Sequence, residues 1–337
     1  MDSAKLPTVS VLLPTYDRAE YLGAAIESVL GQTFGDLELI VVDDGSTDGT
    51  ERVLASITDP RLRVIRRPHA GCAAALNAGL AVARGRHIAR NDSDDVWLPE
   101  LLAELVPLLD ARPELGMVYA RCDGMHADGA PSGATRGGPL RYPDDAFSSL
   151  LYANYTPSIA TIYRRTCLER VGDYDEGLTY AEDWDLALRV ARHFPVAFVD
   201  RMLARIREHP GNATALNSAT LRKRTSELAV VLDKAFAEPA PPARAARMKA
   251  LAYRNHHIGT ALQWLMLGEP REAGRAFAAA FREGGNPLGT LGRAALSSAV
   301  WFGLSRYRVT SSLGYAVVRW RSAARLTGGR AATWRVT

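Results

Sequence analysis

Residues 37–50 read LELIVVDDGSTDGT. Leu37–Val42 is an apolar run of strand-forming residues, broken only by Glu38, that passes without a spacer into Asp43, Asp44, Gly45 and Ser46. A run that is apolar at successive positions has no polar face for water, so it predicts a strand buried on both sides. Its acidic end predicts a turn that carries chemistry or caps a helix over about Asp48–Ile57. The same pattern recurs on either side. Val9–Leu13 ends in Pro14-Thr15 and is followed by Tyr21–Leu30, with Leu22, Ile26, Val29 and Leu30 at helical spacing. Arg61–Arg66 predicts a third strand, Ala73–Ala83 a third helix, and His87–Ala89 a fourth strand that ends in Asn91-Asp92-Ser93-Asp94-Asp95. Buried strands alternating with helices of about ten residues imply an α/β fold with a mostly parallel sheet flanked by helices. Ligands of such sheets sit outside the carboxyl ends of the strands.

Further along, the pattern predicts a helix from Pro99 to about Leu109, a strand at Met117–Ala120, and a mobile flap over 123–145, where Gly, Pro and Asp are frequent. A helix at Phe147–Tyr152, a strand at Ser158–Tyr163, a helix at Arg164–Val171 and one opened by Ala181-Glu182-Asp183-Trp184-Asp185 follow. Beyond Asn212 the sequence turns to Ala/Arg-rich helices, with Pro239–Pro242 as a linker. Leu251–Leu267 and Glu272–Arg282 read as a helical hairpin closed by Gly268-Glu269-Pro270. Charge divides the 337 residues in the same place: 1–214 carry a net −9 and 215–337 a net +13. This predicts a catalytic domain over 1–214 and a basic helical C-terminal region over 215–337. Gly284–Thr337 holds eight Arg and no acid, a bias that suits an anionic membrane surface or a cationic cap on the first domain. Nucleic acid is not expected, because no recognised module accompanies the charge. The three cysteines have no CxxC pairing and read as reduced core residues. The first residues lack the basic start and long apolar stretch of a signal peptide, and Ala294–Ser305 stops at Arg306 after a dozen residues. The expected location is therefore cytoplasmic, peripheral at the inner face of a membrane if bound there.

Three acids in four residues, Asp92, Asp94 and Asp95, repel one another, and a divalent cation among them relieves that cost; a solvated acidic turn is the alternative. Asp43 and Asp44 suit the donors of a base or ribose, or an ordinary strand-to-helix turn. Glu182-Asp183 opens a helix whose dipole favours anions and lowers their pKa, which suits a carboxylate base or merely an acidic first turn. No GxGxxG follows the first strand and no GxxxxGK[ST] occurs, which argues against dinucleotide dehydrogenases and P-loop NTPases.

The order of these motifs is more specific than any one of them. PTYDR, DDGSTDGT, NDSDD, AEDWDLALR and a basic stretch with His209 follow one another, and the series resembles glycosyltransferase family 2 over about Pro7 to Asn212. The resemblance implies a GT-A, Rossmann-like fold with a C-terminal helical extension. It implies that Pro14, Thr15, Tyr16 and Arg18 line a nucleotide pocket, that Asp44 beside Asp43 reads the base, and that Asp92-Ser93-Asp94 is a DxD motif on the donor. Asp94, with His209, would meet a magnesium or manganese ion. Asp183 matches a general base, and Glu182 and Trp184 its acceptor-side neighbours, Trp184 serving equally as core. The implied reaction is inverting transfer from a nucleotide diphosphate sugar, a UDP-sugar by preference, to a lipid-linked or polysaccharide acceptor of the cell envelope. An inactive nucleotide-sugar or glycan-binding relative and a nucleotidyltransferase are the alternatives. Two departures stand out: Ala75-Leu76-Asn77 lacks the Arg expected after the third strand, and Arg90-Asn91 replaces an apolar pair before the DxD.

Overall fold

The computed structural model describes residues 6–212, 215–237 and 240–284. Strands β1 (Val9–Thr15), β2 (Leu37–Asp43), β3 (Leu62–Arg66) and β4 (His87–Arg90) alternate with helices α1 (Ala19–Leu30), α2 (Thr50–Ala55) and α3 (Cys72–Val82). Next come β5 (Val96–Trp97), α4 (Leu101–Ala111), β6 (Met117–His126), β7 (Pro131–Arg136), α5 (Ala146–Tyr152), β8 (Thr161–Arg164), α6 (Arg165–Val171), α7 (Glu182–His193) and β9 (Val196–Glu208). Helices α8 (Ser218–Phe236), α9 (Ala243–Met266) and α10 (Pro270–Arg282) complete the described chain. The sheet runs β3-β2-β1-β4-β8-β6-β9-β5, with β7 paired to β6 at one side. The β1, β2, β3 and β4 pairings are parallel, β8 is inserted antiparallel, and β6 pairs parallel with β9. The α/β architecture expected from the apolar runs is the one observed.

Alternation along the strands builds two core layers. Val9, Val11 and Leu13 of β1, with Leu39 and Val41 of β2, face α1 and α4; Leu12, Ile40 and Val42 face the layer of α3, α5 and α7. Val231 and Leu232 of α8 and Ala245 and Ala252 of α9 join that second layer. A division of the chain near residue 214 remains a proposal drawn from charge. The predicted hairpin is present as α9 and α10, joined through Gly268 at φ 73°. Ala294–Ser305 and the rest of the arginine-rich tail lie outside the described residues.

Glu38, the one charge in the β2 run, is 2% exposed. It accepts hydrogen bonds from Ser10 Oγ (2.7 Å), Arg84 N (2.7 Å), Arg84 Nη2 (2.8 Å) and Arg63 Nη1 (3.2 Å). Burial alone would raise its pKa, but the Arg84, Ser10 and Arg63 donors together outweigh it and hold the carboxyl below its ordinary value. The acid therefore fastens β1, β2, β3 and the end of α3.

Two expectations are corrected. The segment 123–145 is no loose flap: β6 continues to His126, β7 returns against it, and Tyr119 Oη donates to Gly138 O at 2.6 Å. Backbone pairing with β6 offsets the polar composition. The strand expected over Ser158–Tyr163 begins with a 3₁₀ turn at Ser158–Ala160 and is extended only from Thr161.

Because Glu38 loses its stabilising effect when protonated, Glu38→Gln should lower the melting temperature at pH 7, by about 1–3 kcal/mol of stability. The deficit should shrink as pH falls through the carboxylate range, where the wild type also protonates. Thermal unfolding of both proteins from pH 7 to pH 3 checks this.

Candidate active site

The loops after β1 and β2 are braced to each other at the carboxyl edge. Asp17, in the left-handed region at φ 48°, accepts from Thr47 N at 2.7 Å through Oδ1, while its own N–H donates to Ser46 Oγ at 3.0 Å. Short polar side chains tolerate that conformation because they bond locally. Asp43 Oδ1 accepts from Ser46 N at 2.9 Å, so it shapes the turn. Pro14 and Thr15 are buried at the end of β1, beyond the last β4 pairing at Leu12, where a missing proline N–H costs no ladder bond to that strand.

Asp44 is buried and already served by donors. Its carboxylate accepts from Ala70 N (3.1 Å) and Gly71 N (2.7 Å) and pairs with Arg67 Nε (3.3 Å) and His69 Nδ1 (2.9 Å). A carboxylate offers about four acceptor sites, so a further N–H reaches Asp44 only if a side-chain donor gives way. Glycine makes the close approach possible: a Cβ on Gly45, at φ 84°, would lie 2.8 Å from His69 N. Tyr16 is 41% exposed, but its ring stacks on His69 with centroids 4.0 Å apart. That spacing leaves no room for a ring between the two.

The acidic loop after β4 is held from two directions. Asp95, 4% exposed, accepts from Arg207 N at 2.8 Å; burial first, then Asp94 and Asp92, push its pKa well up. Arg207 Nε donates to Asp94 O (2.9 Å), and its guanidinium lies over the Tyr21 ring. His209, just beyond β9, brings Nε2 to 3.0 Å from Asp94 Oδ2, and Arg18 Nε stands 3.7 Å from the same oxygen. On the other side Arg90 donates to Asp92 through Nε (2.6 Å) and Nη2 (3.2 Å) and to Glu182 Oε1 through Nη1 (2.9 Å). Ser93 is buried between the two acids.

Glu182 and Asp183 open α7. Glu182 is buried against Arg90, and Trp184 is a core residue whose Nε1 donates to Leu150 O at 3.1 Å, so its ring offers no acceptor platform. Asp183 Oδ1 accepts from Trp184 N at 2.6 Å. The helix dipole predicted a depressed pKa, and this is corrected. Burial first, and Glu182 second, push Asp183 up to about 7, against the opposing pull of Arg90. Desolvation and a like charge outweigh a terminal dipole.

Residues 10–172 match the model of glycosyl transferase family 2. The match covers just under half of the chain, which resembles that family. An uncharacterized glycosyltransferase of Nostoc sp. is 34% identical over 175 residues, covering 50% of this chain and 54% of the relative. Chondroitin synthase of Pasteurella multocida is 34% identical over 128 residues, covering 37% of this chain and 13% of that one. The chain thus spans about half or less of these relatives. Among solved structures, a Pyrobaculum calidifontis mannosyltransferase in complex with GDP-Man and Mn2+ aligns with TM-score 0.58 and 21% identity, covering 97% of this chain and 89% of the other. Staphylococcus aureus TarS 1-349 in complex with UDP-GlcNAc aligns with TM-score 0.62 and 18% identity over 88% and 92%. The fold is GT-A.

The donor set fits a magnesium or manganese ion that keeps ligand oxygens in its shell. Among the described residues no group of three His, Cys, Asp or Glu surrounds a cation position, and such ions are ordinarily held by one or two side chains plus phosphates and water. Asp94 Oδ2 and His209 Nε2, 3.0 Å apart, have the separation of two adjacent donors in an octahedron with bonds of about 2.1 Å. Gly211 N donates to His209 Nδ1 at 3.2 Å, which places the ring proton on Nε2. A cation at Nε2 would require that proton to move.

Sequence reasoning missed Arg90, Arg207, Tyr21 and His69 as members of this site. The Arg90 departure was the available signal. Arg207 lay in the basic stretch with His209 but was given no role, and neither Tyr21 nor the 67–71 loop carried a motif.

An unfolded aspartate titrates near ~3.9, whereas folded Asp183 titrates near 7. The folded protein thus holds an extra proton between these values, and stability falls as pH rises through that window. Asp183→Asn should therefore melt a few degrees above the wild type at pH 8, the difference narrowing toward pH 5. Calorimetric scans across that range check the sign.

Proposed function

We propose that this chain is a glycosyltransferase that moves a sugar from a nucleotide diphosphate donor, a UDP-sugar by preference, to a hydroxyl group of a glycan or lipid-linked acceptor, with inversion. The observation that carries the reading is convergence: one guanidinium, Arg90, binds both Asp92 of the acidic loop and Glu182 of the α7 start, while His209 closes on Asp94 from 115 residues away. Donor-side acids and an ionisable carboxylate next to Glu182 thus share one edge of the sheet. Nucleotide-sugar complexes of the structural neighbours and the glycan synthase among the relatives support the donor and acceptor classes.

In this reading Pro14, Thr15, Tyr16, Arg18, Asp43, Asp44, Asp92 and Ser93 form the donor side. Asp94 and, once its Nε2 proton has left, His209 would hold a magnesium or manganese ion that neutralises charge on the departing diphosphate. Asp183 takes the proton of the acceptor hydroxyl as the acceptor oxygen bonds to the anomeric carbon and the bond to the diphosphate oxygen breaks. Ionised Asp183 is the active form, so turnover rises with pH through about 7. Arg18 adds positive charge near the leaving group. No helix among the described residues is long and apolar enough to cross a membrane; peripheral attachment at a cytoplasmic membrane face through the basic region after residue 214 belongs to the same proposal.

Titration calorimetry against UDP-, GDP- and dTDP-sugars, with and without manganese, tests the donor side. One nucleotide class should bind in a metal-dependent way, and Asp94→Ala should weaken it at least about tenfold. Asp183→Asn should keep binding and lose about 10²–10⁴ in turnover, with nucleoside diphosphate as the wild-type product. Binding without turnover would favour the inactive relative, and release of pyrophosphate a nucleotidyltransferase. If no nucleotide binds, the proposal fails.

A base stacked on the face of Tyr16 that His69 covers must displace the His69 ring. Because an aromatic pair is worth about 0.5–1.5 kcal/mol, His69→Ala should tighten nucleotide binding by about 2–10-fold. Weakened binding would mean instead that His69 holds the base.

A further inference from the structure

Arg90 is, with Arg207, one of two buried arginines at the site. It ends β4, and its side chain is 9% exposed. Its guanidinium spends both faces of its fork: Nε and Nη2 grip the two oxygens of Asp92, and Nη1 reaches Glu182 Oε1 at 2.9 Å. Nη2 also lies 3.5 Å from Cys72 Sγ at the start of α3. Three segments are therefore fixed by one planar group: the donor loop, the helix that carries Asp183, and the first turn of α3. A lysine cannot reproduce this arrangement, because an ammonium is a point charge and not a fork. Leu76 of α3 is fully buried in the core, so the arginine absent from that helix has no functional equivalent there. Positive charge comes up from the sheet instead.

We propose that Arg90 is a positioning residue that locks Asp92 to the base-bearing helix and supplies the positive charge that lets Asp183 work as a base at neutral pH. The inference rests on reading Asp183 as that base. The groups facing Asp183 are Glu182 on its own helix, Arg90 of β4, Asp92 of the following loop, Cys72 of α3, Tyr174 of the loop before α7, and Tyr163 of β8. Asp185, on the same helix, is already paired with Arg189 and Lys234. Arg90 is the cation of this set, and it opposes both burial and Glu182. Its attachment to Asp92 means that a donor gripping Asp92 acts on the same guanidinium that steadies Glu182, so donor loading and base readiness share one contact.

The test is a carboxyl-carbon NMR titration of the full chain labelled at aspartate, with the Asp183 signal assigned by its loss in Asp183→Asn. In Arg90→Gln the midpoint should move up by about one pH unit, as expected for removal of an opposite charge at this range. Donor turnover at pH 7 should drop about fivefold through ionisation alone, and its pH profile should shift by the same amount. Arg90→Lys should restore the midpoint while leaving turnover low, since charge returns without the fork. Should Arg90→Gln not fold, the comparison is made between Glu182→Gln and the Arg90→Gln/Glu182→Gln pair, which leaves no Glu182 carboxylate unpartnered. There too the Arg90 change should raise the midpoint. An unmoved midpoint in the folded variant overturns the proposal. A moved midpoint in a chain that turns over no nucleotide sugar would instead sustain the electrostatic coupling and sink the transferase reading.

Discussion

Carboxylates crowd the carboxyl edge of one sheet, and their mutual repulsion is the constraint around which this site is built. Asp43 ends β2 and Asp44 follows it, Asp92, Asp94 and Asp95 follow β4, and Glu182 and Asp183 open α7. Each is given its own compensation. Backbone N–H groups and His69 serve Asp44, Arg207 N serves Asp95, and Arg90 divides itself between Asp92 and Glu182. Asp94 is met by His209, whose side chain is buried, and by the partly exposed Arg18. Asp183 accepts from Trp184 N, and burial with the neighbouring Glu182 raises its pKa, as burial with Asp94 and Asp92 raises that of Asp95.

The compensating groups come from far along the chain, which makes sheet topology part of the chemistry. β9 pairs parallel to β6 and antiparallel to β5, and this pairing carries Arg207 and His209 to a loop more than a hundred residues earlier in sequence. Insertion of β8 between β4 and β6 places α7 beside the β4 loop. In the reading proposed above, the resulting edge is the donor face. The buried Glu38 cluster does the complementary work at the other end of the strands, holding β1, β2 and α3 in register with donors for nearly every lone pair.

The legible parts of the molecule were those with a local signature. β1 and β2 are mainly apolar runs, broken by Ser10 and Glu38, so their strand character and burial on two faces followed directly, as did the loops at their ends. The acids of the loop after β4 and Asp183 stood out through order and spacing. β9 was not, because Val196–Glu208 mixes Asp200, Arg201, Arg205 and Arg207 among its apolar residues and becomes a strand only through its partner β6. The hairpin of β6 and β7 was hidden in the same way by Gly, Pro and Asp. Nor could sequence show that Asp44 is saturated or that Trp184 faces inward, since both depend on contacts made across the fold. The dipole argument for Asp183 failed because it counted a local field and omitted desolvation and Glu182, which are larger.

The most direct test of the whole account is a crystal structure of the full chain with manganese and the nucleoside diphosphate that calorimetry selects, with the metal placed by anomalous scattering. The account predicts a manganese peak bonded to Asp94 and to the diphosphate, the base against Tyr16 with His69 displaced, and Asp183 facing the open side of the sugar position. A manganese peak away from Asp94, or a nucleotide bound while the Tyr16–His69 stack stays closed and the carboxyl edge is empty, would contradict it.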